Sequence, residues 1–306
     1  MDKVYDTIII GGGPAGYTAA LYSARAGYDT LVAEKLSSGG QMALTGIIDN
    51  YPGFEEGVDG FTLGMKMQQS AERFGARTKY TEILSADLTA SPKRLVTTDG
   101  ELYAKNVIIA AGAYPRNLGL EGESDYIGRG IHYCAHCDGR FYKDKEVAVI
   151  GGGNSAVTDA LYLSRLAKKV YLVHRRNELR AEKIYSDALL KADNVEFLWN
   201  SEAESFDTNE QGRISSLRIK DTKGETLRDI TLDGIFISIG RKPATDFLRD
   251  SGIALDKHGY IIAGEDTRTN IRGVFAVGDI RTKRLRQVVT AVADGAAAVH
   301  EIGEEL

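Results

Sequence analysis

Three things are scarce in this sequence: cysteine, an excess of basic residues, and long apolar segments. Among 306 residues the formal net charge is -5, and apart from two short clusters the Lys and Arg residues are dispersed, so we expect no nucleic acid partner. No stretch is long and apolar enough to span a bilayer, and no apolar signal core precedes the first strand-like segment. We therefore expect no membrane association and a cytoplasmic location.

Length and composition indicate an ordinary globular protein with more than one domain. A chain of 306 residues exceeds what one hydrophobic core usually serves. Its 43% apolar and 26% charged residues argue against disorder. Glycine is abundant: 34 of the 306 residues are glycine, a larger share than the average of about 7%. Such an excess indicates tight turns or close backbone approaches to ligands.

A strand, glycine turn, helix and strand follow one another twice along the chain. In the first copy we predict a strand at Asp6–Ile10, a turn at Gly11–Gly16, a helix at Tyr17–Ala26 and a strand at Thr30–Glu34. The same order returns at Glu146–Ile150, Gly151–Ala156, Val157–Ala167 and Val170–His174. The two glycine turns begin 140 residues apart, at 11 and 151. The repeat predicts two β-α-β units of the same design.

Both turns have the G-x-G-x-x-G or closely related spacing of a dinucleotide site. One such motif is weak evidence, but two in register, each after a strand and before a helix, are strong. Glycine permits the tight turn and lets the backbone approach a pyrophosphate, and the helix N-terminus attracts that anion. We predict pyrophosphate contacts from Gly11, Gly13, Pro14, Ala15 and Gly16 in the first turn, and from Gly151, Gly153, Asn154, Ser155 and Ala156 in the second.

A later pair of similar segments indicates where the second unit enters and leaves the first. Ile108–Pro115 resembles Phe236–Pro243, and the strand-like Gly273–Asp279 fits the first unit better than the completed second one. We therefore expect an α/β fold of two Rossmann-like domains, the second inserted into the first. The expected ranges are 1–113 and 243–306 for one domain and 114–242 for the other.

The residue after each second strand distinguishes the two nucleotides. Glu34 places an acid where a free ribose hydroxyl is bound, as in FAD or NAD. The second unit has His174, Arg175 and Arg176 there, with Arg180 one helical turn further, so it offers cations to the 2'-phosphate of NADPH. Clustered arginines also occur as a solvated basic surface, which is the alternative interpretation.

The only two cysteines, Cys134 and Cys137, form a C-x-x-C motif just before the second unit. In a reducing compartment this spacing favours redox or metal chemistry over a structural disulfide. As a redox pair, one thiolate attacks a partner's disulfide and the other resolves the mixed disulfide. Zinc held with His132 or His136 is the alternative, but the sequence has no second ligand pair. We predict no metal site.

The neighbours of the cysteines suggest how protons are handled. A carboxylate at Asp138 would disfavour the adjacent Cys137 thiolate, so we predict that Asp138 delivers a proton as a general acid. A simple Asp-Gly turn is the alternative. His136, between the cysteines, is expected to stabilise the thiolate and make the disulfide more oxidising.

NADPH gives up a hydride whereas a disulfide takes two electrons, so a flavin in the first unit is the expected intermediary. Asp279 follows a strand and is a candidate for the ribityl hydroxyls. Arg286 and Gln287 open a helical run through Ala298, whose N-terminus would stabilise negative charge on a reduced flavin. Ordinary capping roles for Asp279 and Gln287 are the alternative.

In combination these motifs closely resemble the bacterial-type, low-molecular-weight thioredoxin reductases of the pyridine nucleotide-disulfide oxidoreductase family, over nearly the whole chain. The resemblance implies an NADPH-dependent flavoprotein, a homodimer, and thioredoxin as the partner that Cys134 attacks, with Cys137 facing the flavin. It places Gly39–Met42 near the flavin. The full set of predicted FAD contacts is completed by Lys35, Gly40, Gln41, Asn50, Gly112 and Val288.

Two positions depart from the family's usual pattern: Thr often stands where this chain has His136, and also where it has Ala111. Related ferredoxin-linked reductases lack the His-Arg-Arg segment and the second glycine motif, and related dithiol oxidases do not use a nicotinamide. Arg175 and Arg176 disfavour both. The remaining alternatives are the same chemistry on another dithiol protein, and a non-enzymatic module that binds zinc or a nucleotide and senses redox state.

Overall fold

The computed structural model describes residues 3–44 and 47–304. Its contacts divide the chain into two compact units, one formed by Met1–Tyr114 and Lys242–Leu306 and the other by Pro115–Arg241. Each crossing lies one residue from the predicted boundary. The outermost residues of the predicted ranges, 1–2 and 305–306, lie outside the described part. None of the described helices is long and apolar enough to cross a membrane.

Nineteen strands are described. The first nine are β1 (Val4–Ile10), β2 (Thr30–Glu34), β3 (Ile47–Ile48), β4 (Val58–Asp59), β5 (Arg77–Tyr80), β6 (Ile83–Asp87), β7 (Lys93–Thr97), β8 (Gly100–Ile109) and β9 (Ala113–Pro115). The others are β10 (Ile131–His132), β11 (Glu146–Ile150), β12 (Lys169–His174), β13 (Val195–Trp199), β14 (Ser201–Thr208), β15 (Ile214–Asp221), β16 (Leu227–Thr231), β17 (Gly234–Ile237), β18 (Arg241–Pro243) and β19 (Val274–Ala276).

The described α-helices are α1 (Pro14–Arg25), α2 (Gly60–Glu72), α3 (Ala135–Asp138), α4 (Asn154–Leu163), α5 (Lys183–Leu189) and α6 (Val288–Glu304). Short 3-10 helices occur at Gly40–Leu44, Glu123–Tyr126, Gly139–Tyr142, Asp246–Leu248 and Gly278–Ile280. Both predicted motif helices begin three residues earlier than expected, at Pro14 and Asn154. Proline has no backbone N–H, and the first residue of a helix needs none because no intrahelical acceptor is available to it. Pro14 can therefore begin α1 directly after the glycines.

The sheet of the first unit has strand order β5-β2-β1-β8-β7-β6, and β19 also pairs with β8. β5, β2, β1, β8 and β19 run parallel, while β6 and β7 form an antiparallel extension. The pairing of β19 with β8 confirms the expectation that Gly273–Asp279 belongs with the first unit.

The sheet of the second unit is fully parallel, in the order β10-β17-β11-β12-β13, and a separate antiparallel sheet is formed by β14, β15 and β16. The two parallel sheets confirm the predicted α/β class with two Rossmann-like domains.

The central strands are continuous apolar runs. Such a sequence is expected where both faces of a parallel sheet are buried, since side chains on either face then contact a hydrophobic cluster. In β1, Ile8 and Ile10 enter one hydrophobic cluster while Ile9 enters another. In β11, Ala148 and Ile150 enter one cluster, and Val147 with Val149 enters another. The glycine turns therefore begin at the buried C-terminal ends of β1 and β11.

Candidate active site

In the first unit the turn between β1 and α1 admits only glycine at two positions. Gly11 has φ +105°, and a Cβ there would lie 2.6 Å from the carbonyl oxygen of Ala110, while a Cβ on Gly16 would lie 1.9 Å from that of Gly11. A Cβ on Gly13 or Gly112 would meet nothing within 4 Å. No side chain caps α1. Backbone atoms therefore fill the space beside Gly11 and Gly16, whereas the space beside Gly13 is open. We call this open space the front of the turn; through it an anion can reach the N-terminus of α1.

Two other segments of the first unit reach the same turn. A Cβ on Gly40 would lie 3.4 Å from the Cα of Gly13. Gly40 therefore packs against the turn, and Gln41 is the next residue in the chain. A Cβ on Gly278 would lie 3.0 Å from the Cβ of Ala15. The predicted flavin residues Gly40, Gln41 and Asp279 are therefore brought to the start of α1 by close backbone packing.

Glu34 is buried at the end of β2 and is bonded to backbone amides. Its Oε2 accepts a 2.6 Å hydrogen bond from the N–H of Gly12, and its Oε1 accepts a 3.0 Å bond from the N–H of Leu36. A carboxylate oxygen accepts more than one hydrogen bond, so Glu34 keeps acceptor capacity for the predicted ribose hydroxyl. The adjacent Lys35 is exposed, and its Nζ lies 2.7 Å from Glu82 Oε1, a hydrogen bond that raises the pKa of Lys35.

The structure also brings together residues near the start of α6. Asn50 Nδ2 donates a 2.9 Å hydrogen bond to Oε1 of Gln287. Arg286 Nε lies 3.4 Å from the carbonyl oxygen of Asp279. Val288 is the first residue of α6. Asn50 and Gln287, which are far apart in the sequence, thus meet in the structure.

A buried cluster centred on Asp294 supports this region, and sequence reasoning missed it. Asp294 accepts hydrogen bonds from Arg281 at 2.7 and 2.8 Å, from Lys283 at 2.9 Å, and from the N–H of Gly278 at 2.8 Å. Burial alone would raise the pKa of Asp294, but the bonds from Arg281 and Lys283 outweigh it and lower that pKa. The cluster anchors the segment that carries Asp279.

The glycine turn of the second unit repeats the first in its geometry. Gly151 has φ +145°, and a Cβ there would lie 2.4 Å from the carbonyl oxygen of Ser238. A Cβ on Gly153 would meet nothing within 4 Å, and no side chain caps α4. The open front of this turn again presents a helix N-terminus, here with exposed Ser155 and buried Ala156 in its first turn.

The chain beyond β12 folds back onto this glycine turn. The N–H of Arg180 donates a 2.7 Å hydrogen bond to the carbonyl oxygen of Gly152. Asn154 and Glu182 exchange two bonds, from Asn154 Nδ2 to Glu182 Oε1 at 3.0 Å and from the N–H of Glu182 to Asn154 Oδ1 at 2.7 Å. The backbone of Arg180 is therefore held beside the start of α4.

Arg175 and Arg176 are exposed and line an open cleft of about 440 Å³. Its other lining residues are Glu202, Lys220, Asp221, Thr222 and Gly224. Lys220 adds a third cation, which sequence reasoning missed because it lies on β15, far from the motif. Two carboxylates also line the cleft, so its charge is mixed and not purely basic.

His174 is the buried member of the His-Arg-Arg segment. Burial lowers its pKa, and the charges of Arg176, Arg175 and Arg180 lower it further. Its Nε2 has no hydrogen-bond partner among the residues described. At neutral pH the ring is therefore uncharged, and the positive charge of the segment resides on the arginines.

Cys134 and Cys137 are joined as a disulfide at the start of the one-turn helix α3. The N–H of Cys137 lies 3.2 Å from Cys134 Sγ, so Cys134 caps the helix that carries its partner. Both cysteines are partly exposed. In the described part of the chain, no group of three or more His, Cys, Asp or Glu side chains is arranged to hold a metal ion.

Asp138 begins a chain of hydrogen-bonded polar groups that continues into buried side chains. Its Oδ2 lies 2.9 Å from Nδ1 of His132, and Nε2 of His132 lies 2.7 Å from the hydroxyl of Tyr142. The role of His132 and Tyr142 was missed: from the sequence, His132 was considered only as a zinc ligand. The sequence signal for this pairing is the position of His132, six residues before Asp138, which follows the redox cysteine Cys137.

Two further contacts hold the segment around the cysteines. The hydroxyl of Tyr133 donates a 2.5 Å hydrogen bond to Glu123, which is buried; burial and this carboxylate raise the pKa of Tyr133. His136 is exposed, and its ring centroid lies 4.3 Å from that of Tyr162 on α4. The backbone on both sides of Cys134 is thus fixed by side-chain contacts.

Residues 5–295 match the family model described as pyridine nucleotide-disulphide oxidoreductase. A thioredoxin reductase of Listeria innocua is 44% identical over 298 residues, covering 97% of this chain and 92% of that protein. A thioredoxin reductase of Bacillus subtilis is 42% identical over 301 residues, covering 98% and 94%. The crystal structure of thioredoxin reductase from Streptococcus pyogenes is similar with a TM-score of 0.91 at 42% identity, covering 100% of both chains.

Proposed function

The chain belongs to the thioredoxin reductases of the pyridine nucleotide-disulphide oxidoreductase family, and we propose that it transfers electrons from NADPH to the disulfide of thioredoxin, using FAD and the Cys134–Cys137 pair. The observation that carries the proposal is the pairing of Cys134 with Cys137 in the unit that also has the arginine-flanked glycine turn. One unit thus carries the chemical groups for both the donor and the acceptor.

The first unit is proposed to bind FAD. Its glycine turn is open at Gly13 and closed at Gly11 and Gly16, so a pyrophosphate can approach the N-terminus of α1 without meeting a side chain. When bound, the flavin supplies two-electron transfer between a nicotinamide and a disulfide. Support for the rest of the site comes from the segments of Gly40 and Gly278, which pack against the turn.

The second unit is proposed to bind NADPH. Gly153 leaves the front of the turn open, and Arg175, Arg176 and Arg180 supply the positive charge for a 2'-phosphate. Because these arginines are exposed while His174 is buried and uncharged, we assign the discrimination between NADPH and NADH to the arginines.

The dithiol chemistry is proposed to divide between the two cysteines. After reduction, the thiolate of Cys134 attacks the disulfide of thioredoxin, and Cys137 then resolves the mixed disulfide to regenerate the bond seen here. Asp138, next to Cys137 and held by His132, provides the proton for the sulfur that leaves when the disulfide is reduced.

Homodimer formation and the cytoplasmic location, which the sequence and the resemblance predict, stay predictions. The partner is proposed as thioredoxin because curated relatives at 42–44% identity carry that function in their names. Another dithiol protein would use the same groups, so the choice of partner has to be measured.

NADPH oxidation by the purified, FAD-loaded protein tests the proposal. We expect NADPH to bleach the flavin absorbance, and we expect continuous NADPH oxidation only when an oxidised thioredoxin is added. A panel of thioredoxins and glutaredoxin-type proteins would identify the acceptor. A protein that neither binds FAD nor oxidises NADPH with any of them would contradict the proposal.

A further inference from the structure

His132 is held on three sides in the second unit. Its Nδ1 lies 2.9 Å from Asp138 Oδ2 and its Nε2 lies 2.7 Å from the hydroxyl of Tyr142. Its ring stacks on Phe236 with centroids 5.1 Å apart and planes inclined by 26°. Only 5% of the residue is exposed. Both ring nitrogens therefore have fixed partners, and the ring is held in one orientation.

The chemistry of these groups sets the direction of the hydrogen bonds. An ionised Asp138 can only accept, so Nδ1 of His132 must carry the hydrogen whenever Asp138 is a carboxylate. A neutral imidazole has a single N–H, so Nε2 is then an acceptor and the hydroxyl of Tyr142 is the donor. Burial and the charge of Asp138 raise the pKa of Tyr142 to about 12. The hydroxyl thus keeps its hydrogen at neutral pH.

Other charged groups act on this chain from its own elements and from those around it. Asp233, just before β17, raises the pKa of Tyr142, and Arg213, just before β15, lowers it. Lys145 Nζ lies 5.3 Å from the centroid of the Tyr142 ring. These groups face Tyr142. Among the residues that the structure describes, Asp138 is the acid in contact with His132.

We propose that His132 is a positioning residue for Asp138, occupying Oδ2 with its Nδ1–H so that the transferable proton of Asp138 resides on Oδ1. The inference rests on the proposed function, in which Asp138 is the acid. Tyr142 fixes the tautomer of His132 by donating to Nε2. The same Nδ1–H bond serves the neutral acid, through its carbonyl oxygen, and the carboxylate formed after proton transfer.

The proton transfer balances without any change at His132. Two electrons from the NADPH-dependent reaction break the Cys134–Cys137 S–S bond and leave both sulfurs as thiolates. The O–H bond at Asp138 Oδ1 breaks and an S–H bond forms on one of these sulfurs, while the other keeps its negative charge. Asp138 is left as a carboxylate that still accepts from His132, and it is reprotonated from solvent, since its side chain is 19% exposed.

The tautomer of His132 is measurable by 15N NMR on histidine-labelled, FAD-loaded protein, with His132→Asn used to assign the signal. We expect the Nδ1–H tautomer in both the oxidised and the dithiothreitol-reduced protein. In Tyr142→Phe, which lacks the donor to Nε2, an Nε2–H fraction should appear whenever Asp138 is protonated and can itself donate to Nδ1. A dominant Nε2–H tautomer in the unsubstituted protein would overturn the proposal.

The rate of dithiol formation provides the second readout. Protein mixed with NADPH is quenched with an alkylating reagent at set times, and labelled thiols are counted. His132→Leu should slow thiol formation at least roughly tenfold. His132→Asn, whose amide can donate in place of Nδ1, should restore most of the rate. Tyr126→Phe, a tyrosine of the same unit that packs on Phe206, serves as the matched control and should leave the rate unchanged.

Asp138→Asn distinguishes failure of this inference from failure of the proposed function. If Asp138→Asn forms the dithiol at the unsubstituted rate, the acid role of Asp138 itself is wrong. If Asp138→Asn is slow while His132→Leu is not, Asp138 acts without His132 and only the positioning role is overturned. If His132→Asn is as slow as His132→Leu, the Nδ1–H bond is not the cause and the proposal is again overturned.

Discussion

The imidazole ring of His174 lies so close to Gly152 that a Cβ on the glycine would be 2.3 Å from the ring. Gly152 is the second residue of the second glycine turn, and His174 ends β12 directly before Arg175 and Arg176. The contact couples the turn proposed to bind the pyrophosphate to the segment proposed to bind the 2'-phosphate. A glycine is needed at 152 for packing and not for its φ angle, whereas the open position Gly153 faces no neighbour within 4 Å.

This contrast predicts opposite effects of two alanine substitutions. Gly152→Ala forces a methyl group into the ring of His174 and should destabilise the second unit by about 1 to 3 kcal/mol. Gly153→Ala should leave stability within about 0.5 kcal/mol but weaken NADPH binding, because its methyl group enters the open front of the turn. Thermal unfolding followed by Trp199 fluorescence and the NADPH Michaelis constant measure the two effects. Equal stability losses would contradict the assignment.

Replacing Arg175 and Arg176 with alanine should raise the Michaelis constant for NADPH at least roughly tenfold and leave that for NADH little changed. Each charge-assisted hydrogen bond to the 2'-phosphate is worth about 1.5 to 3 kcal/mol, and 1.4 kcal/mol corresponds to about tenfold in affinity. The control is Arg165→Ala, which removes the positive charge of one exposed arginine outside the cleft. If both nucleotides weaken alike, the arginines do not recognise the phosphate.

His136→Thr should make the Cys134–Cys137 disulfide harder to reduce, since it removes a group expected to stabilise the thiolate. The centroid of the His136 ring lies 4.3 Å from that of Tyr162, so the ring is held against α4. Titration against glutathione redox buffers gives the midpoint. Tyr162→Leu, which keeps His136 but removes its ring contact, shows how much of the effect depends on that position. An unchanged or more oxidising midpoint in His136→Thr would exclude the role.

Asp294→Asn should destabilise the first unit by about 3 kcal/mol or more, because it leaves Arg281 and Lys283 buried without their acid. The pKa of Asp294 is lowered in the folded state, so its contribution is present above the unfolded value of 3.8 and is lost as the pH falls through the lower folded value. Urea unfolding at several pH values should show this acid dependence in the unsubstituted protein and less of it in the variant.

The matched control is Asp229→Asn, which removes an exposed acid bonded to Arg218. Exposed ion pairs contribute little, so the unfolding midpoint should not move. Asp294→Asn should also release FAD more readily, since Asp294 holds the N–H of Gly278 next to Asp279. If Asp294→Asn unfolds like Asp229→Asn, the cluster does not stabilise the site.

Local signals were sufficient for the parts of the fold that repeat. The two glycine turns predicted β1, β2, β11 and β12 because a buried parallel strand needs a continuous apolar run and ends where glycine allows a tight turn. Helix ends were less well predicted: α4 ends at Leu163 and not at Ala167, since the chain from Ser164 continues as separate turns.

Contacts between distant or unpatterned residues could not be predicted. Lys220 reaches the arginine cleft because β15 lies beside it, and nothing in the local sequence around Lys220 marks that position. Asp294 sits on α6 among alanines and glycines, and its cation partners come from an irregular loop. The pairing of His132 with both Asp138 and Tyr142 depends on how β10, α3 and the 3-10 helix Gly139–Tyr142 pack together. The spacing of apolar residues in the sequence does not predict that packing.

The central claim, that electrons reach thioredoxin through the Cys134–Cys137 pair, is tested most directly by NADPH oxidation with thioredoxin in Cys134→Ser and Cys137→Ser. The account predicts that both variants retain FAD and are still bleached by NADPH, while thioredoxin-dependent turnover is lost. Turnover at the unsubstituted rate in either variant would contradict it, because electrons would then reach thioredoxin without the disulfide.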